Sequence, residues 1–255
     1  MKKALLLLGL LVASAGCQTG TLEDPNDPKE VGVIAPDVIR RQLKGTSDML
    51  MERVNKGQLT DEEFQELITK RANELLGDLP LDKVDPSRAW EYGEVFRTAK
   101  RWDQAKQALA IAVDYATKTK NEDRRVNDLL RLAHAEAMLG DIGGAIKTAD
   151  RTMDAPPAGS APILLGVLLE IVPAARGKGK DAELAVLLEK AIGKHMETVV
   201  DPKTEPGTMF LMARPVHVRN AWKTVIQLFT KAGKEDEARK ALERSEKMMA
   251  GMRRV

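Results

Sequence analysis

The chain offers few side chains with reactive chemistry of their own. It has one cysteine, Cys17, and three histidines, His134, His195 and His217. A lone thiol excludes an internal disulfide and any cysteine-cluster metal site, and three scattered histidines leave little for a histidine-built zinc site. His134 and Glu136 are two residues apart, a spacing that does not put a pair on one helical face. His195 and Glu197 fall near an expected helix end, where a histidine complements the dipole. The acid pairs Glu62–Glu63 and Glu122–Asp123 fall at expected helix starts and do the same there. No H-E-x-x-H, G-x-S-x-G, Walker or dinucleotide glycine motif occurs. Gly177-Lys178-Gly179-Lys180 has the composition of a phosphate loop, lacks its first glycine and its Ser/Thr, and reads as a turn. The expectation is a protein with no catalytic residue, no cofactor and no metal.

Cys17 is different because of what precedes it. Lys2 and Lys3 are followed by an apolar run from Ala4 to Ala13 and by the small residues Ser14, Ala15 and Gly16. That is the layout of a secretory signal peptide, too short to span a bilayer. Ala13-Ser14-Ala15-Gly16-Cys17 resembles a bacterial lipobox, with Ser14 where that pattern usually has Leu. The resemblance implies cleavage before Cys17, acylation of its sulfur and amine, and a membrane anchor. Ala13-x-Ala15 is a competing site for ordinary signal peptidase, which would release an unanchored protein. The expected organisation begins with a signal peptide over 1–16 and a lipidated tether over 17–34. Gly20, Pro25, Pro28 and Gly32 keep the tether free of any helical or strand period.

Composition bounds the rest. The 255 residues are 43% hydrophobic and 31% charged, enough for a packed core. Aromatics are 4%, which disfavours a sandwich or barrel. Without residues 1–16 the chain carries 38 basic and 38 acidic residues, so the broad basic excess of a nucleic-acid binder is missing. Residues 212–255 alone are basic, with 11 Lys+Arg against 5 Asp+Glu, among them Arg214, Arg219, Lys223, Lys231, Lys234, Arg253 and Arg254.

From residue 35 onward the apolar spacing is helical. Residues 35–84 read as a hairpin of two helices, the second opened by a Thr60–Glu63 capping box. Asp85-Pro86 reads as an N-cap followed by proline at the first helical position. The segment that follows, AWEYGEVFRTAKRWDQAKQALAIAV, resembles the tetratricopeptide repeat (TPR). The small residues that let the paired helices of that family approach fall on Gly93 and Ala105, and the large ones on Phe96, Trp102 and Leu109. The pattern recurs around Ala133, Gly140, Ala145 and Pro157. It recurs again at Gly179, Leu184, Leu188 and Ala191, and finally at Trp222, Phe229, Gly233, Ala238 and Leu242. Ala105, Ala145, Leu184 and Ala238 lie 40, 39 and 54 residues apart, longer than the usual repeat of about 34. Val199–Pro206 reads as an inserted loop.

The expected fold is all-α: an N-terminal helical lead-in over 35–84 and a solenoid of TPR-like hairpins over 85–255. The resemblance implies partner binding on a concave surface lined by the first helix of each hairpin. On this register the lining is Ser87, Trp90, Glu94 and Arg97 in the first hairpin, Asn127 and His134 in the second, and Asn220, Lys223 and Gln227 in the fourth. The set lacks the repeated Lys and Asn layout with which carboxylate-clamp members hold a chain terminus. The functional expectation is a lipid-anchored scaffold of a bacterial cell envelope, facing the periplasm or exterior. It would bind a peptide or protein and no nucleic acid. The alternatives are an accessory subunit of an envelope assembly or secretion machine and, behind it, an envelope hydrolase on a helical solenoid.

Overall fold

The computed structural model describes residues 34–156 and 163–252. The leader, Cys17, the tether through Val33, Pro157, Arg253 and Arg254 lie outside the described residues. The regular elements of the described residues are all helical, and the chain divides into two compact units at the Val84–Asp85 link.

In the first unit α1 (Pro36–Asn55) packs on α2 (Asp61–Leu76). The heptad-like apolar positions explain the pairing: α1 buries Ile39, Leu43 and Leu50, and α2 buries Phe64, Ile68, Ala72 and Leu76. The capping box is closed in both directions. Glu63 N donates to Thr60 Oγ1 at 3.2 Å, and Thr60 N donates to Glu63 Oε2 at 2.8 Å.

Among its described residues the second unit has, besides a short 3-10 turn (Arg151–Asp154), eight longer helices: α3 (Ala89–Thr98), α4 (Trp102–Lys118), α5 (Glu122–Met138), α6 (Ile142–Asp150), α7 (residues 163–175), α8 (Asp181–Glu197), α9 (Glu205–Lys231) and α10 (Glu235–Met252). They form four successive hairpins, α3–α4 through α9–α10, each packed on the next through α4–α5, α5–α7, α6–α8 and α8–α9. The fold is an all-α hairpin solenoid with a helical lead-in. Alanine makes the close helix contacts possible: Ala105, Ala133, Ala145, Ala191, Ala221 and Ala241 are fully buried. Two glycines mark close approaches between neighbouring helices. A Cβ on Gly93 would lie 2.7 Å from Leu109 on α4, and one on Gly166 would lie 2.7 Å from Leu130 on α5.

Three local expectations need correction. Asp85 does not cap α3, which begins at Ala89. Its Oδ1 instead accepts from Ser87 N at 2.8 Å, a local turn that competes with the helix start. The inserted loop ends at Thr204, which caps α9 by accepting from Gly207 N, so Glu205 and Pro206 are already helical. Leu242 is 47% exposed, while its neighbour Ala241 is fully buried. No fifth hairpin follows among the described residues to cover the row that Leu109 and Leu188 occupy earlier.

α7 is not a plain α-helix. Ile163–Gly166 and Val172–Ala175 are α-helical, and Val167–Ile171 between them is π-helical. Pro173 explains the widening. It has no N–H for the carbonyl of Leu169, and its ring crowds that carbonyl, so an i→i+5 turn just before it relieves both.

Candidate functional site

The first helices of the first three hairpins share one polar seam. Its centre is Arg97 near the end of α3. Arg97 Nη1 donates to Glu94 Oε1 at 3.0 Å, and Nη2 donates to Glu170 Oε2 on the π-helical stretch of α7 at 2.6 Å. The same Nη2 meets His134 Nδ1 on α5 at 2.9 Å. Arginine can only donate, so Nδ1 accepts and the ring proton of His134 sits on Nε2. The ring of His134 also meets Trp102 edge to face, with centroids 5.4 Å apart.

The seam continues along α5. Glu94 Oε1 pairs with Arg131 Nε at 2.7 Å, and Arg131 Nη1 approaches Asp128 Oδ1 at 3.7 Å. Asp128 is fully buried and is held by Arg124 one turn before it, through Nε at 2.9 and 3.0 Å and through Nη2. Arg124 in turn stacks over the ring of Trp90, 3.7 Å from its centroid. Three arginines (97, 124, 131) thus face three carboxylates (Glu94, Asp128, Glu170), and the ensemble is formally neutral.

The titration shifts follow from this packing. Burial and the Arg97 charge push His134 down to about 4, so it is neutral near pH 7. Burial raises the Asp128 carboxyl above the usual range against the opposing pull of Arg124. The Arg125 guanidinium lowers Glu122, and the Lys240 ammonium lowers Glu237. Each shifted carboxylate is tied to a neighbouring cation. None is paired with a nucleophile, and no group of three or more metal-ligating side chains occurs among the described residues. The seam ties side chains of α3, α5 and α7 into one hydrogen-bonded network.

Of the expected lining residues, Trp90, Glu94, Arg97 and His134 lie in this seam. Asn127 is on the same face of α5, and its amide donates to Asp123 O of its own helix at 2.9 Å. Asn220, Lys223 and Gln227 are exposed on α9. Gln227 accepts from Arg176 at the end of α7, at 3.3 Å. Arg124, Asp128, Arg131 and Glu170 belong to the seam and escaped the sequence reading, and Trp102, expected there only as a packing residue of the repeat, belongs to it too. The i, i+4 spacing of Arg124 and Asp128 was a usable signal; the reach of Glu170 to Arg97 depends on the π turn and was not.

A second cluster joins the end of α8 to the start of α9. His195 is buried and stacks on Phe210 at 4.7 Å and on His217 at 5.9 Å. Arg214 leans over Phe210 and donates to Thr198 O at 2.7 Å. It is thus turned inward, unlike the other basic residues of the C-terminal segment named above that lie among the described residues. Burial, then His217 and Arg214, push His195 down to about 4.

No protein-family model matches the chain, and no curated protein matches its sequence. Among solved structures it is similar to the nearly identical TPR-like repeats described for a kinesin light chain of Podosopora anserina. Identity there is 16%, covering 88% of this chain and 100% of that one, with a TM-score of 0.42. It is also similar to BtubC (BKLC) from P. vanneervenii, at 13% identity, 86% and 88% coverage and a TM-score of 0.38.

Proposed function

We propose that this chain is a lipid-anchored interaction scaffold of a bacterial cell envelope, without catalytic activity, that holds a peptide or protein across the first helices of its hairpins. The observation that carries the reading is the Arg97 seam. It locks side chains of α3, α5 and α7 into one geometry, and a surface fixed before binding loses little entropy when a partner arrives. Its formal neutrality suits a mixed polar and aromatic partner surface better than a polyanion. Lipidation at Cys17 would place this scaffold on a membrane, with residues 18–34 as the spacer.

Two measurements test the two halves of the proposal. Metabolic palmitate should label the wild type and not Cys17→Ser; equal labelling removes the anchor. For binding, Trp90→Ala with Lys223→Ala should abolish capture of the co-purifying partner while helicity stays intact. Deletion of residues 251–255 should alter only its salt sensitivity, since exposed charges there are screened over about 8–10 Å. Capture that survives the double substitution but is lost with the tail puts the site at the basic end instead.

A further inference from the structure

α9 carries an exposed row with an unusual order. Glu205, Met209, Met212, Val216, Arg219 and Lys223 follow one another at spacings of 4, 3, 4, 3 and 4 residues, and all six are exposed. At 100° per residue they stay within about 40° of one line along the helix. The opposite side is the buried one, with Val218, Ala221, Val225 and Leu228. Met209, Met212 and Val216 are 63%, 76% and 53% exposed, an apolar stripe that nothing in the described residues covers. Alternating spacings of four and three are the seam of a two-helix coil.

We propose that this row docks on the same row of a second copy of the chain, antiparallel, about a two-fold axis near residue 214. The proposal rests on the reading of this face as a protein-docking surface and names its occupant. Charge and spacing together select this occupant. The row is acidic at its first position, apolar in the middle and basic at its end. Its spacing reads the same in both directions, so an antiparallel copy sets Met212 against Val216, Met209 beside the stem of Arg219, and Glu205 against Lys223. A parallel copy would set Glu205 against Glu205 and Lys223 against Lys223, so the charges select the antiparallel arrangement. None of Glu205, Arg219 and Lys223 forms an ion pair with another described residue, and all three are available. A lipid surface fits less well, because the row itself opens on the acid Glu205, which opposes anionic headgroups. The seam spans about 27 Å, at the small end of specific interfaces, so association belongs in the micromolar range.

Sedimentation velocity on the purified mature chain carrying Cys17→Ser, which removes the proposed acyl anchor, from about 1 to 100 µM, reads the proposal directly. The wild type should show a monomer–dimer equilibrium. Met212→Glu should weaken it at least about tenfold, since an unpaired acid enters the apolar layer. Glu205→Lys alone and Lys223→Glu alone should each weaken it, and the two together should restore it, because the swap recreates both ion pairs across the axis. A monomer throughout the range overturns the proposal. So does a dimer indifferent to Met212→Glu, or a double swap no better than its singles. Binding to anionic vesicles that Met212→Glu abolishes, by a chain monomeric in solution, assigns the row to a membrane and also overturns it. The experiment contains no partner protein. Trp90→Ala alone should leave the sedimentation unchanged, whereas Lys223→Ala should weaken the dimer through the lost pair with Glu205; capture of a foreign partner lost in Trp90→Ala alone, with the dimer intact, therefore separates the two readings.

Discussion

His134 and His195 are the residues whose state the surroundings decide most. Both are held down to about 4, from an ordinary 6.5, mainly by burial. The unfolded chain takes up their protons as pH falls through 6.5, and the folded chain does not until near 4. Their contribution to stability is therefore complete above pH 6.5 and is lost on acidification through that window. Each contributes up to about 2 kcal/mol between pH 7 and pH 5, discounted for the partial exposure of His134. Urea unfolding at pH 7 and pH 5 should show that loss, and it should shrink by about half in His134→Gln. A pH-independent midpoint would mean that both rings are solvated. Asp128 works the other way, since its raised carboxyl favours the fold as pH falls and offsets part of the decline. Gly93 gives a second prediction at this scale. Alanine there gains about 1 kcal/mol of helix propensity, but its Cβ strikes the fully buried Leu109, and overpacking costs about 1–3 kcal/mol. Gly93→Ala should lower the thermal midpoint, and Gly93→Ala with Leu109→Val should recover part of it.

At the scale of the element, the legible features were those written in local spacing. The capping box at Thr60, the small residues at Gly93, Ala105 and Ala145 and the turn glycines at Gly140 and Gly233 gave the hairpins and their order. The misses have a common cause: neighbours far along the chain settled the outcome. Nothing near Leu242 says that no further described helix covers its row, yet that decides whether Leu242 or Ala241 is the buried one. Ala241→Leu should destabilise by about 1–3 kcal/mol, because there is no room beside α9. Leu242→Ala should stay within about 0.5 kcal/mol, as surface changes do. The reverse order would restore the register expected from the repeat. The π stretch of α7 was equally hidden, although Pro173 was visible. Proline says that a helix is disturbed; whether it kinks, ends or widens depends on α5 and α8 packing against it. Half of the candidate site was readable for the same reason. Trp90, Glu94 and Arg97 share a helix face at simple spacing, whereas Glu170 reaches Arg97 across 73 residues.

In the whole molecule, a row of hairpins is stabilised mostly by contacts between neighbours, and such arrays open from their ends. The α3–α4 hairpin is the first of its unit, so it depends on what ties it to α5 and beyond. Packing through α4–α5 is one tie, and the Arg97 seam is the other. Arg97 side-chain exposure is 14%, while Glu94 and Glu170 are 31% and 37% exposed. Removing the guanidinium therefore strands carboxylates that water can partly rescue, and the cost is less than the 3–5 kcal/mol or so of breaking a buried pair. The effect should still be local. In Arg97→Ala the backbone amides of residues 89–118 should exchange hydrogen faster, while those of α8 and α9 keep their protection. Lys190→Ala removes an exposed pair with Asp150 and should change neither region. Uniform loss of protection across residues 85–252 in Arg97→Ala would show that the unit opens only as a whole. The seam would then be a contributor to global stability, and the first hairpin would have no independent opening for it to restrain.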